Sequence, residues 1–344
     1  MKRVTKVSLE MVAAFVLLLV LSLYVLTGVA DFGAGFWQLV FRGDRNLRDR
    51  QAISTALAPI WEANHVWLVV AIVLISGAFP KVLATLSVAL DVPLLLMLIG
   101  VSLRGSAFAF RRYGPTDERF QARWGLVFGV ASTLTPVFLG IIMGTAVSGS
   151  IRVLADGSLA AGSESAWFRP FPILVGIYTF AIGAFLSAVY LSANATASEF
   201  QETFRKLAIA ASVFLAVVAL GVLLLSRSEA PIVFIRLTSH VWSWPFHLAT
   251  AFFSALALLF LSLKKIRWAR AAAVLEVLAI MIGLGLAQYP YLVTPDLTLF
   301  NSASPRSSLR VLLIAVAIGM LLVVPGFVWL YWVFQFRDHQ GKTD

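Results

Sequence analysis

Very few residues in this chain could do chemistry, because nearly everything else is apolar. An ionisable group inside a bilayer is costly enough that each one is a functional candidate. Glu62 stands in the segment LAPIWEANHVWLV at 57–69. Ser54 can cap a helix that opens near Thr55, and Pro59 is tolerated in its first turn. Glu62 then lies about two turns inside that helix. At a spacing of three to four residues, Glu62, His65 or Val66, and Val69 share one face, with Asn64 beside them. A carboxylate in this place is either a proton-conducting group or half of a structural ion pair, and the residues alone leave both readings open.

Asp31 follows the first apolar run in GVADFGAGFW at 28–37. Glycines 28, 33 and 35 permit close backbone approach or non-helical geometry. The plain reading of Asp31 is a helix-end residue hydrogen-bonded to a neighbouring loop. Asp91 lies nine residues into the third apolar run, about 14 Å along a helix and so near mid-membrane. There it must face the bundle interior or a partner, with Ser87 one turn away. Arg104 and Arg111 stand near the far end of that run, where a structural or lipid-phosphate role is expected. Glu276 sits early in the eighth run, within reach of Arg270 or the wet interface.

Histidine and cysteine bound the cofactor chemistry. Cysteine is absent, so the chain supplies no disulfide or thiolate cluster. A haem bundle needs axial His or Met. Of the four histidines, His339 is in the tail, His240 is in a loop and His247 opens the seventh run. Only His65 is expected to be buried, as a packing residue beside a carboxylate. No haem and no metal is therefore expected in this chain. Paired Glu-x-x-His motifs, a phosphate-binding glycine loop and a Ser-His-Asp order are likewise not found.

These residues must be held by membrane-spanning helices. Hydrophobic residues make up 60% of the 344, and charged ones only 13%. Soluble domains carry about 25% charged residues. A chain this apolar takes lipid as its solvent, so the fold class is all-α integral membrane. A span needs roughly 20 apolar residues, and about nine runs reach that length. They cover 9–29, 56–79, 82–103, 124–147, 171–191, 207–225, 245–263, 271–289 and 309–334. The first continues without a small-residue cleavage site and reads as a retained helix rather than a signal peptide. The net charge of +10 belongs to loops that set topology and meet lipid head groups. No basic helix or aromatic–basic platform suggests nucleic acid. Of the 27 Lys and Arg, 17 fall on the side of the C-terminus and 10 on the side of the N-terminus. The N-terminus is therefore expected outside and the C-terminus in the cytoplasm. Tryptophans 37, 61, 67, 124, 242, 244, 329 and 332 fall near predicted helix ends, as an interfacial belt would.

Three of these segments together resemble subunit II of the cytochrome bd-type quinol oxidases. GVADFGAGFW is similar to a Gly-x-Ala-Asp-Phe-Gly-x-Gly segment of that family, and LAPIWEANHVWLV to its Gly-Pro-x-Trp-(Asp/Glu)-x-Asn segment. FPK at 79–81 followed by LRGSAFAFR at 103–111 is close to its Arg-Gly-x-Ala-Phe-x-Phe-Arg. YPYLVTPDLTLFNSAS at 289–304 is a weaker fourth. WEANH with LRGSAFAFR looks more like the cyanide-insensitive branch. Ala109 replaces an acidic residue common in the third motif, Asp91 stands where a neutral or His residue is usual, and YLSANATASEFQETF in mid-chain matches poorly.

The resemblance implies two four-helix bundles plus one peripheral helix. The bundles would take 1–150 and 151–290, with 291–344 as the peripheral helix and tail. It also implies a haem-bearing subunit I with haem b and haem d, quinol as substrate of the complex, and oxygen reduced to water with cytoplasmic protons. Lipids and quinone would surround the complex in a bacterial inner membrane, with room for a small single-helix subunit. Glu62 matches the acidic position of a proton path, with Asp31, His65, Asn64 and Asp91 as further candidates. Gly33, Trp61, Pro80, Arg104, Gly105 and Arg111 match structural positions of the motifs. Two other readings compete: a proton-coupled secondary transporter, with Asp91 and Pro93 as a helix break, and a purely structural assembly subunit.

Overall fold

The computed structural model describes residues 8–41, 61–195 and 197–340. Within these, the side chains of 61–65, 327, 328 and 330–340 lie outside the described residues. Ser54, Thr55 and Pro59 are outside them altogether, and with them the expected helix start. Among the described residues eight helices are long and apolar enough to cross a membrane, or nine if a sharply bent pair is one span. This is the all-α, multi-pass membrane fold expected from composition.

The first span is α1 (Leu9–Tyr24), a π turn at Val25–Val29 and α2 (Ala30–Val40). Ser8 caps it by accepting from the Met11 amide. The span runs to Val40 instead of ending near Val29. The glycines of GVADFGAGFW stay helical and are used for close packing, not for a turn. Its two ends define a Leu9 face and a Val40 face of the molecule.

The next three helices are α3 (Trp61–Ala78), α4 (Pro80–Ala89) and α5 (Asp91–Tyr113). The described part of α3 and α4 meet at 112°. Phe79 leaves the helical region at φ −134°, ψ 59°, and Pro80 restarts the chain as the first residue of α4. Leu90 breaks it again at φ −127°, ψ 30°. The predicted third span from Val82 is thus a short tilted helix followed by a separate one. Asp91 consequently opens α5 rather than sitting at mid-membrane. It is exposed, and its carboxylate accepts from the Val92 amide at 2.7 Å.

The remaining helices are α6 (Glu118–Ser148), α7 (Pro170–Asn194), α8 (Ser198–Glu229), the short α9 (Pro231–Ser239), α10 (Trp244–Ser262), α11 (Ile266–Gln288) and α12 (Arg306–Gln340). Asp117 caps α6 through the Phe120 amide, and Gly149 ends it in the left-handed region at φ 83°.

Contacts group the spans into two four-helix rings. In the first, α3 packs on α1, α2 on α6 and α6 on α5, with α4 bridging α3 to α5. In the second, α7, α8, α10 and α11 each touch two ring neighbours. α12 lies outside both, against α3 and α1, with long exposed apolar stretches such as Val311, Leu321 and Leu322.

The rings meet where α7 inserts against α2 and α6. Small residues make that approach possible, as in other membrane helix contacts. A Cβ on Gly33 of α2 would overlap the Gly183 carbonyl of α7. One on Gly176 of α7 would come within 2.6 Å of the Val137 carbonyl of α6.

Over the Leu9 face, the 150–169 loop packs with a two-stranded hairpin, β1 (Tyr291–Val293) and β2 (Leu297–Thr298). Asp296 accepts from Arg152 Nε at 2.9 Å and from the Val153 amide at 2.8 Å. Thr294 donates its amide to Ala146 at the end of α6. Ile151, Ala166, Val293, Leu297 and Leu299 are buried beneath this cap.

Candidate functional site

The largest fully buried side chain is an arginine. Arg104 of α5 and Asp31 of α2 form an ion pair at 2.7 Å, with side chains 1% and 3% exposed. Arg104 Nη2 also donates to the Asp31 carbonyl at 3.3 Å, and Nε to Ser132 Oγ of α6 at 2.9 Å. The rings of Phe32 and Phe128 stand 4.6 and 4.9 Å from its guanidinium carbon. Three helices of the first ring thus converge on one buried cation. A low-dielectric site tolerates a charge only when it is paired and hydrogen-bonded, and here the fold supplies both.

Arg104 is therefore not a lipid contact; of the structural and lipid-phosphate roles expected for it, its buried ion pair fits the structural one. Asp31 does not end a helix either, because α2 continues nine residues beyond it. Seven residues along α5, Arg111 donates to Gln38 of α2 at 3.0 Å and lies 5.6 Å from the Phe128 ring. The two arginines form a ladder along the α2–α5 seam. Gly105 is half-buried between them, and Pro80 is exposed as the first residue of α4.

Gly33 and Gly35 let this seam close. A Cβ on Gly35 would overlap Ser132 Oγ, the hydroxyl that binds Arg104. Two residues on, Trp37 is buried, not part of an interfacial belt, and Trp67 of α3 is buried too. Trp37 Nε1 donates to the Ala184 carbonyl and to Ser187 Oγ, both at 3.1 Å. This bond ties the Arg104 seam to α7 of the second ring. Trp37→Phe keeps an aromatic ring, gives up part of the indole's bulk and removes the donor. It is expected to cost about 1–2 kcal/mol, since the Ala184 carbonyl loses a buried partner. A fall of a few degrees in thermal midpoint checks it, and an unchanged midpoint counts against it.

The structure does not gather all the expected proton-path residues. Trp61, Glu62, Asn64 and His65 open α3 at the Val40 face, and their side chains lie outside the described residues. Asp31 sits nine residues in from the same face. Asp91 stands at the Leu9 face, thirteen residues from Arg104, about 20 Å along α5. His247 Nε2 is 2.8 Å from the Leu237 carbonyl, and His240 stacks on Trp242. Among the described residues no three His, Asp or Glu side chains converge.

One residue that the sequence singled out lies deeper than expected. Glu276 is buried, 4% exposed, because α11 starts at Ile266 and places it ten residues in. Arg270, its expected partner, lies instead over the Tyr190 ring at 5.1 Å. The α11 start was hidden because IRWAR reads as a charged loop.

Fold and site define a class: a multi-pass helical membrane subunit with a buried Asp–Arg pair at the seam of its helices. The chain belongs to the cytochrome bd terminal oxidase subunit II family, whose model matches residues 9–334. It is 30% identical over 320 residues to the Bacillus subtilis cytochrome bd ubiquinol oxidase subunit 2, covering 89% of this chain and 90% of that one. The Escherichia coli K12 cytochrome bd-I ubiquinol oxidase subunit 2 is 22% identical, covering 90% and 89%. A chain of the bd oxidase structure from Geobacillus thermodenitrificans superposes with a TM-score of 0.82 at 25% identity, over 95% of this chain and 99% of that one.

Proposed function

We propose that this chain is the haem-free subunit of a quinol:oxygen oxidoreductase in a bacterial inner membrane. It stabilises a haem-bearing subunit I and lends that subunit part of a proton path from the cytoplasm. The buried Asp31–Arg104–Ser132 cluster carries this reading. It is an ionisable group inside the hydrocarbon region, which is rare and usually functional. Glu62 stands in the first turn of α3, the helix that packs on α1, and is the second group of this path. His65 and Asn64 share the Glu62 turn. The excess of Lys and Arg on the Val40 side makes that side cytoplasmic and puts the N-terminus outside.

Asp91, at the opposite face and bonded to the Val92 amide at the start of its own helix, stands apart from this path. Haem b and haem d are assigned to subunit I, because the described histidines of this chain are engaged by a carbonyl and a tryptophan ring. The long apolar face of α12 meets lipid. Residues 1–150 and 151–290 hold the two rings, and 291–344 the hairpin, the peripheral helix and the tail.

The bent α3–α4 pair is the one feature that favours a transporter, since broken helices mark many transporter sites. A family match over nearly the whole chain weighs against that reading.

Glu62→Gln in the complete complex is the test. Quinol-driven oxygen consumption is expected to fall at least about tenfold, in line with the loss of a proton-transferring group, while the complex assembles with its haem absorption intact. Unchanged turnover would remove Glu62 from the path and leave the purely structural role.

A further inference from the structure

The second ring holds a buried carboxyl that the oxidase reading does not use. Glu276 lies ten residues from the start of α11 at Ile266 and twelve from its end at Gln288. At 1.5 Å per residue that is close to the middle of the membrane. Its Oε2 has no hydrogen-bond partner among the described residues. Ser254 of α10 and Tyr178 of α7 are polar neighbours of the carboxyl.

A hydroxyl from the fourth helix of the ring lies at the same level. Arg205 of α8 donates to the Leu261 carbonyl of α10 at 2.9 Å, which fixes the register of that antiparallel pair. Ser212 and Ser254 are each seven residues from that bond, in the direction of the Leu9 face. Both therefore stand about 10 Å from it, at one depth. Ser212 is 1% exposed, and its Oγ also lacks a partner. Each of the four helices thus brings one polar group to this level of an otherwise apolar core.

The charged groups on the surrounding helices lie toward the ends. On α8 they are Glu199, Glu202, Arg205 and Lys206 near the Val40 face and Arg227 and Glu229 near the Leu9 face. On α9 there is Arg236, and on α11 itself Arg267 and Arg270. α7 and α10 carry none, and His247 of α10 is held by the Leu237 carbonyl. α1 and α2 carry Glu10 near the Leu9 face and Asp31, the latter paired with Arg104. An ionised carboxylate here would be buried without a counter-charge, which the hydrocarbon region does not tolerate.

We propose that Glu276 is the centre of a second proton-binding site, in the second ring and separate from the Asp31–Arg104 pair. Ser212, Ser254 and Tyr178 line it. Its proton exchanges with water by way of these hydroxyls.

The test is infrared spectroscopy of the purified complex in light and heavy water. The carbonyl stretch of a protonated carboxylic acid is expected, shifted in heavy water and lost in Glu276→Gln. Ser254→Ala, which keeps the carboxyl, is expected to shift the same band and serves if the Gln variant does not assemble. A band that does not shift in heavy water would overturn exchange. Loss of no acid band in Glu276→Gln, or no shift in Ser254→Ala where only that variant assembles, would overturn proton binding. A carboxylate band that responds to replacing potassium by sodium would overturn it too, in favour of a metal cation. These outcomes are independent of Glu62 and of turnover, so they stand or fall apart from the proposed oxidase path.

Discussion

Replacing Arg104 by methionine is expected to deplete the assembled complex in membranes by more than tenfold. Methionine fills the space between Phe32 and Phe128, so packing is largely kept. What remains is Asp31, buried and stripped of the cation 2.7 Å away. Breaking a buried pair from one side costs about 3–5 kcal/mol, because the other charge is left uncompensated. At about 1.4 kcal/mol per factor of ten, that is a hundredfold or more in the folding equilibrium, and a large part of the about 5–15 kcal/mol by which folded domains are stable. Complex abundance on native gels and the thermal midpoint of what survives are the readouts. Normal abundance of the single variant would show that Asp31 finds another partner. Adding Asp31→Leu should restore assembly, since an apolar pair of similar volume leaves no orphan charge. Turnover of that double variant then separates two roles. Full activity would make the pair structural, and an assembled but inactive complex would place Asp31 in the proton path.

The span count and the membrane class were legible in the sequence, because hydropathy depends only on composition over about 20 residues. The ends were not. The first span stays helical through GVADFGAGFW, since glycine inside a tightly packed membrane helix supplies contact rather than a turn. Local propensity is blind to a partner such as Gly183, 150 positions away in the chain. The same blindness hid the pair itself: Asp31 and Arg104 were both singled out, but nothing in their spacing says they meet. The break at Phe79–Pro80 was signalled by the proline, yet the second break at Leu90 carries no signal, so Asp91 was placed a full half-membrane too deep. Glu276 failed for the opposite reason. Arg267 and Arg270 made the first turn of α11 look like loop, and the carboxyl consequently seemed interfacial.

Gly33→Val is expected to abolish assembly, and more sharply than the loss of any single hydrogen bond. A Cβ at position 33 would overlap the Gly183 carbonyl and come within 2.6 Å of Ser187 Oγ. The obstacle is backbone on a helix of the other ring, so no rotamer change relieves it. Overpacking a close-fitted interior typically costs about 1–3 kcal/mol when side chains can give way. Here α2 and α7 must move apart as rods. That motion would also stretch the Trp37 bonds to Ala184 and Ser187. Because α2 also carries Asp31, separation from α7 strains the Arg104 cluster as well, and the three losses couple rather than add. Gly183→Ala, whose Cβ would sit 2.5 Å from the Val29 carbonyl, tests the same crossing from the other side. Gly319→Ala in α12 is the control, since nothing lies within 4 Å of the added carbon and assembly should be unchanged or improved by helix propensity. If Gly33→Val and Gly319→Ala assemble equally well, the two rings are not locked at this crossing. The α6–α7 seam at Gly140 and Gly176 and the α1–α11 contact of Leu18 with Gly285 would then have to hold them together.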